Sequence, residues 1–250
     1  MRFKFIQLNL WFSGKLLDNA IEFLNKERPD ILALQEVYWP QANRSENRFN
    51  SLQILKKELG LDHMDFAPSF LDVGVEDSLW GLAVMSKYPL IKSQSTYING
   101  SFHAYVRDKL TDFGDLPRNL QHSTIEINNA PLHILNIHGI WGFDENDNER
   151  RLEMADRIIA QIPFNEPTIL CGDLNVGQHT KTIAKLERRL RNVFKGELTT
   201  SFNTNIKKGG GFATSVVDFV FVSNHLRILN HTAPLVDVSD HLPLVCEFEI

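Results

Sequence analysis

Apolar positions along this chain fall into short runs, alternating or continuous, and most of those runs end on a polar side chain. Arg2 to Leu10 alternates and predicts a strand closing at Asn9. Ser13 reads as a helix N-cap, after which Leu17, Ala20, Ile21 and Leu24 recur at helical spacing until Pro29 closes the helix. Ile31 to Leu34 reads as a buried strand that delivers Gln35-Glu36 at its end. Asn50 to Leu59 predicts an amphipathic helix stopped by Gly60, and Trp80 to Ser86 another apolar strand. Gln121–Ile127 and Leu132–Ile137 pair as a hairpin around Asn128-Asn129, with His138 at the end of the second strand. Asn148–Ile162 and Thr180–Arg191 read as helices, and Gly209-Gly210-Gly211 as a flexible loop. Thr168–Cys171 is a buried strand broken by Gly172, and Val216–Val222 is a strand carrying Asp218 inside it. Ser239-Asp240-His241 precedes the last strand, Leu244 to Ile250. Ile98 to Asn119 lacks a clean period, and a loop of that length is a place for function or mobility.

Asp173 and Asn175 stand two residues apart after the Thr168 strand. If the extended backbone continues through them, both side chains share a face. A carboxylate able to accept a proton then sits beside a carboxamide able to donate to an anionic oxygen. An Asx-turn made for local hydrogen bonding is the other reading of the same residues. The rest of the chain favours chemistry, because Asn9, Glu36, His138, Asp173 with Asn175, and Asp240-His241 all lie at or near ends of β-type segments. Such placements imply one pocket built from strand ends, where open α/β sheets bind ligands.

Composition narrows that chemistry. Hydrophobic content of 43% and charged content of 23% suit a soluble globular protein with a real core. The net charge of −5 excludes a surface-wide basic coat, so nucleic acid would need a local patch. Cys171 and Cys246 lie in apolar runs and read as buried core thiols, neither a disulfide framework nor a zinc site. The carboxylates, amides and imidazoles at the strand ends suit magnesium, with manganese as the substitute, better than zinc. No run approaches a membrane span, and the N-terminus enters a strand without an apolar leader, so a cytoplasmic monomer is expected. Without internal repeats or a linker rich in Pro and Ser, residues 1–250 are expected to form one domain.

Asp218 is the most informative single position. A carboxylate among Val216, Val217, Phe219 and Val220 is costly to bury unpaired. A protonated imidazole offsets that cost, and His241 is the available partner. A purely structural ion pair is the alternative.

The ordered set Leu8-Asn9, Leu34-Gln35-Glu36, Gly81 to Ser86, Asn136-Ile137-His138, Gly172-Asp173-Leu174-Asn175, Val217-Asp218-Phe219 and Ser239-Asp240-His241 resembles the endonuclease/exonuclease/phosphatase superfamily, the deoxyribonuclease I-like group. The resemblance implies an α/β fold: a four-layer α/β/β/α sandwich, two mixed β-sheets face to face with outer helices. It implies that Glu36 ligates a metal, with Asn9 beside it and Asp240 near it or at a second metal position. By the same likeness Asp173 activates water, Asn175 helps hold the phosphate, and His241, paired to Asp218, stabilises the transition state. His138 becomes a phosphate ligand or general acid. The stretch Gly139-Ile140-Trp141-Gly142-Phe143 departs from the nucleic-acid members, which leaves substrate identity open.

All four Trp residues lie near these segments, as base-stacking faces or as ordinary core residues. Arg107, Arg118 and Trp141 are candidate substrate contacts, whereas the Lys181, Lys185, Arg188 stripe reads equally as a solvated helix face. The expected activity is hydrolysis of a phosphodiester by water, first as a nuclease or DNA-repair phosphodiesterase. A phosphatase or phosphodiesterase for a small molecule or lipid headgroup comes next, and a non-catalytic binding module last.

Overall fold

The computed structural model describes all residues except 42–45, 76–77, 107–108, 110 and 210–212. Seven strands form the first sheet: β1 (Arg2–Asn9), β2 (Ile31–Trp39), β3 (His63–Asp72), β4 (Ser78–Ser86), β6 (Ala104–Tyr105), β12 (Arg227–Thr232) and β13 (Leu244–Glu249), in the order β12-β13-β1-β2-β4-β3-β6. The second sheet has the order β10-β11-β9-β8-β7-β5, from β5 (Leu90–Asn99), β7 (Arg118–Ile127), β8 (Ala130–His138), β9 (Thr168–Asp173), β10 (Arg191–Asn192) and β11 (Asp218–Val222). Both sheets are mixed: β1 runs parallel to β2 but antiparallel to β13, and β8 parallel to β9 but antiparallel to β7.

Strand alternation sorts the side chains into layers. Phe3 and Phe5 of β1 pack with Leu132 and Ile134 of β8, Ile169 and Cys171 of β9, and Val220 and Val222 of β11 between the sheets. The alternate residues Ile6, Leu8, Leu32 and Leu34 pack outward against α1 (Leu17–Glu27) and α2 (Ser51–Leu59) through Leu17, Ala20, Leu24, Leu52 and Leu55. On the other side, Leu135, Ile137, Leu170 and Phe219 meet Met154, Ala155 and Ile158 of α3 (Glu149–Ile159) and Ile183 and Leu186 of α4 (Lys181–Glu187). The result is the four-layer α/β/β/α sandwich that the motifs implied. Among the described residues no helix is long and apolar enough to cross a membrane.

Several boundaries differ from the sequence reading, each for a local reason. Ser13 does not cap α1; its Oγ instead accepts from Tyr38 N at 3.0 Å and donates to Arg48 O at 2.7 Å. Trp11, Phe12, Ser13 and Gly14 form a left-handed turn with φ of 49°, 53°, 64° and 98°. β2 does not stop at Leu34 but continues to Trp39 through a bulge, and Asp218 opens β11 rather than lying inside a strand. The segment 98–119 is no bare loop: it holds the end of β5, all of β6, a 3₁₀ turn at Phe113–Asp115 and the start of β7. Two of the three glycines of the expected flexible loop lie outside the described residues.

Candidate active site

At one end of the sandwich the apolar inner faces turn polar. The inner-face series Phe3, Phe5 ends in Gln7 and Asn9, Leu132 and Ile134 are followed by Asn136 and His138, and Ile169 and Cys171 by Asp173. Every second residue faces inward, so the terminal members of these series converge without any special geometry. Glu36 needs more. It follows the inward Gln35 and would point to the helices, but the register slip between Leu34 and Val37 and its own φ of 57° turn it into the site. Gly172 is equally constrained. Its φ is 140°, and a Cβ there would lie 1.9 Å from Ile137 O, so only glycine lets β9 carry Asp173 this close to β8.

Glu36, Arg118, His138, Trp141, Asp173, Asn175, Asp240 and His241 line one cavity of about 210 Å³. Asn9 and Asp218 sit directly behind it. Asn9 Nδ2 donates to Glu36 Oε1 and to Asp173 Oδ2, both at 3.2 Å, and so ties the two carboxylates together. Glu36 Oε2 accepts from Phe12 N at 2.9 Å, which anchors the left-handed turn to the site. Asp173 Oδ1 accepts from Asn175 N at 2.9 Å: the Asx-turn exists, and both of its residues face the cavity. Its Oδ2 lies 3.6 Å from His138 Nε2 and 3.8 Å from His241 Nε2.

The electrostatics separate the two imidazoles. Burial alone would push His241 down, but Asp218, Asp240 and Asp173 together hold it up at about 10, so it is cationic at neutral pH. His241 Nδ1 donates to Asp218 Oδ2 at 2.8 Å, the pairing expected from the buried carboxylate. His138 goes the other way. Burial, with the charges of Arg118 and His241, holds it well below the ordinary imidazole value, so it enters the site neutral and not as a proton-loaded acid. Burial, followed by the Asp218 charge, raises Asp173, with His241 opposing. Arg118 is 3% exposed, and burial lowers it to about 10, against Glu36 and Asp173, which leaves it charged. Its Nε and Nη1 have no partner among the described residues.

Asp173, Asp218 and His241 bring ligand atoms within 4.8 Å of one another. Asp218 is poorly suited to a cation, because Gln7 Nε2 already occupies Oδ1 while His241 Nδ1 and Ser201 Oγ occupy Oδ2. Glu36, Asp173 and Asp240 offer hard oxygen donors with no thiolate near, a set that fits a divalent cation such as magnesium.

Trp11, Trp80 and Trp141 contribute to the cavity wall, whereas Trp39 stacks on Phe66 at 5.5 Å away from it. Arg107 lies outside the described residues. Lys185 of the basic stripe binds Asp156 at 2.8 Å and is spent on packing α4 to α3. Sequence reasoning missed Gln7, Ser201, Phe202 and Lys207. Ser201 Oγ donates to Asp218 Oδ2 at 2.7 Å, the Phe202 ring lies 4.6 Å from that of His241, and Lys207 Nζ lies 3.8 Å from Asp240 Oδ2. These last three come from a segment without periodicity, which carried no signal.

None of the curated proteins compared with this chain matches it. Solved structures do. An endonuclease/exonuclease/phosphatase from Beutenbergia cavernae is similar over 100% of this chain and 72% of its own, with 16% identity and a TM-score of 0.75. A mannosyl-6-phosphatase from Bacteroides thetaiotaomicron is similar over 99% and 100%, with 16% identity and a TM-score of 0.73. The human Nocturnin catalytic domain, with a bound sulfate anion, is similar over 99% and 94%, with 19% identity and a TM-score of 0.69. These likenesses carry the fold. The family model described as "Endonuclease/Exonuclease/phosphatase family" matches residues 6–241, a span running from β1 through His241. With that match over nearly its whole length, the chain belongs to the endonuclease/exonuclease/phosphatase family.

Proposed function

We propose that the chain is a divalent-metal-dependent phosphoester hydrolase whose substrate presents its phosphate on a small or single-stranded group. The observation that carries this reading is Arg118: a buried guanidinium with two unpartnered nitrogens, on the wall shared by Asp173, His138 and His241. Glu36 and Asp173 balance its charge, but buried N–H groups without an acceptor are costly, and a phosphoryl oxygen is an acceptor suited to a guanidinium that lines this cavity.

The roles follow from charge. Asp173, raised by burial, accepts the proton of the attacking water as the water oxygen–phosphorus bond forms and the phosphorus–leaving-group bond breaks. The cationic His241, oriented by Asp218, and the neutral His138 face the oxygens on which charge develops. Asn175 adds a carboxamide donor. Glu36, with Asn9 beside it and Asp240 in the same cavity, would hold magnesium or manganese, which when bound neutralises charge on a phosphoryl oxygen.

The cavity also bears on substrate. Trp11, Phe12, Trp80, Phe113, Trp141 and Phe202 line it, with Arg118, Lys207 and the protonated His241 as its cations. Six aromatic rings suit a sugar or base stacked beside its phosphate better than the outside of a duplex, which calls for a longer cationic track. The nuclease reading, placed first from the sequence, becomes the second one here, kept because such rings also stack unpaired bases. The test is a panel of sugar phosphates, mononucleotides, a single-stranded oligonucleotide and supercoiled plasmid, each with magnesium or manganese. Turnover of the first three with an inert plasmid is expected; a plasmid cleaved faster than every small substrate would overturn the preference.

A further inference from the structure

Between the two sheets the apolar core is crossed by a line of carboxamides. Gln7 of β1, Gln35 of β2, Asn136 of β8 and Gln121 of β7 are all fully buried. Asp218 stands at one end of the line and Asp65 of β3 at the other. Gln121 Nε2 donates to Asp65 Oδ2 at 2.9 Å, Asn136 Nδ2 to Gln121 Oε1 at 3.1 Å, and Gln35 Nε2 to Asn136 Oδ1 at 2.7 Å. A carboxylate can only accept, so these three amides all point toward Asp65.

Gln7 closes the other end and must donate both ways. Its Nε2 reaches Gln35 Oε1 at 2.7 Å and Asp218 Oδ1 at 3.1 Å. Reversing the amide would set its oxygen against Gln35 Oε1 and the Asp218 carboxylate together. Its own Oε1 has no partner among the described residues although it is buried. A buried carbonyl left unsatisfied is costly, so the side chain is placed for its two donated bonds. Asp218 Oδ2 meanwhile faces His241 Nδ1 and Ser201 Oγ, which leaves the Gln7 bond, among the described residues, as the one that holds the opposite oxygen.

We propose that Gln7 is a positioning residue for the Asp218–His241 pair, locked in its donating orientation by the Gln35–Asn136–Gln121–Asp65 line. Gln7 touches no substrate; it fixes the rotation of the Asp218 carboxylate and hence the direction of the His241 ring. Because the line threads both sheets, the pair is registered against the whole sandwich and not against one loop. The rate readout rests on the phosphoesterase reading, and a spectroscopic readout does not.

Gln7→Met keeps the length of the side chain and removes both donors. Its expected effect on bis-p-nitrophenyl phosphate hydrolysis is a fall in kcat of about tenfold with KM unchanged, the size of one lost hydrogen bond to a charged group. Gln35→Met, which frees the Gln7 amide and takes the donor from Asn136 Oδ1 but leaves the Gln7–Asp218 bond in place, should lower kcat by a smaller factor. In parallel, the downfield His241 Nδ1 proton, assigned by its disappearance in His241→Gln, should move or broaden in Gln7→Met. A folded Gln7→Met with kcat within twofold of wild type and an unmoved proton resonance would overturn the assignment, as would a change confined to KM. Should Gln7→Met fail to fold, Gln35→Met decides by the same two readouts. Should the wild-type protein hydrolyse no phosphoester, the resonance decides alone: an unmoved proton refutes Gln7, and a moved one supports it while the hydrolase reading falls.

Discussion

Replacing Asp218 by Asn removes one charge and almost no volume. Asp218 is 1% exposed, and among the described residues the three side chains bonded to its carboxylate all donate: Gln7 Nε2 at 3.1 Å on Oδ1, with His241 Nδ1 at 2.8 Å and Ser201 Oγ at 2.7 Å on Oδ2. An Asn amide faces a donor whichever way it turns, so no rotamer restores the set. Burial pushes His241 down and Asp218 is the foremost group holding it up, so the variant ring loses its charge at a lower pH than the wild type, with only Asp240 and Asp173 left to oppose burial. A hydrogen bond to a charged group contributes about 1.5–3 kcal/mol, and a unit charge pair about 4 Å apart contributes about 4 kcal/mol at an effective dielectric of about 20. The two overlap, which leaves a loss of about 3–4 kcal/mol, or roughly 10²- to 10³-fold in kcat. The assay is hydrolysis of bis-p-nitrophenyl phosphate with magnesium across pH 6–10, beside circular dichroism to establish folding. Wild-type His241 keeps its charge through neutral pH and loses it as pH rises through about 10; the variant loses that activity at lower pH. The linked stability has the same sign, fully present below the ordinary imidazole value of 6.5 and lost as pH rises through about 10. A folded Asp218→Asn with kcat within threefold of wild type at pH 7 would refute the reasoning. So would a double variant with His241→Ala whose loss equals the sum of the single losses, because a pair acting as a unit is non-additive.

Arg118→Met should lower kcat/KM by about 10²-fold, with Arg118→Lys recovering part of it, since a lysine keeps the charge but not the fork; equal kcat/KM in all three proteins would remove Arg118 from substrate binding. Gly172→Ala should destabilise the fold by more than about 3 kcal/mol, because its Cβ would sit 1.9 Å from Ile137 O at a φ of 140°; an unchanged melting temperature would contradict the close approach of β9 to β8. Far from the site, His122 Nε2 and His133 Nδ1 lie 2.9 Å apart, and His122 is pushed down to about 4 by burial and then by His133 and Lys92. The unfolded chain takes up this proton at about 6.5 while the folded chain resists it, so stability is lost as pH falls from there toward 4. Partial exposure reduces the effect to about 1 kcal/mol, and His122→Gln should flatten that slope in urea unfolding at pH 7 and pH 4.5; an equal slope would count against it.

The residues legible in the sequence are those whose placement needs only alternation. Asn9, His138 and Asp173 close inner-face series of strands whose apolar members are plain, and the cost of burying Asp218 pointed to His241 before any distance was known. Glu36 was legible as a motif residue but not in its geometry, since the bulge and the left-handed φ that aim it leave no periodic trace. The missed strands have physical excuses. β3 is interrupted by Pro68 at a register slip that breaks its alternation, and β5 is an edge strand exposed from Ile91 to Thr96, so it shows no buried face over that stretch. Ser13 carried the signature of an N-cap and was used instead to hold the β2 backbone at Tyr38. The Gln7–Asp218 contact spans 211 residues and ties two sheets, a relation no local pattern encodes.

The most direct test of the central claim is turnover of bis-p-nitrophenyl phosphate by the wild-type chain and by Asp173→Ala, each with magnesium and each after EDTA. Turnover by the wild type with magnesium, abolished by EDTA and reduced at least about 10³-fold in a folded Asp173→Ala, is the result predicted for a cavity that activates water against phosphorus. Equal turnover by the two proteins, or turnover that EDTA leaves untouched, would contradict it.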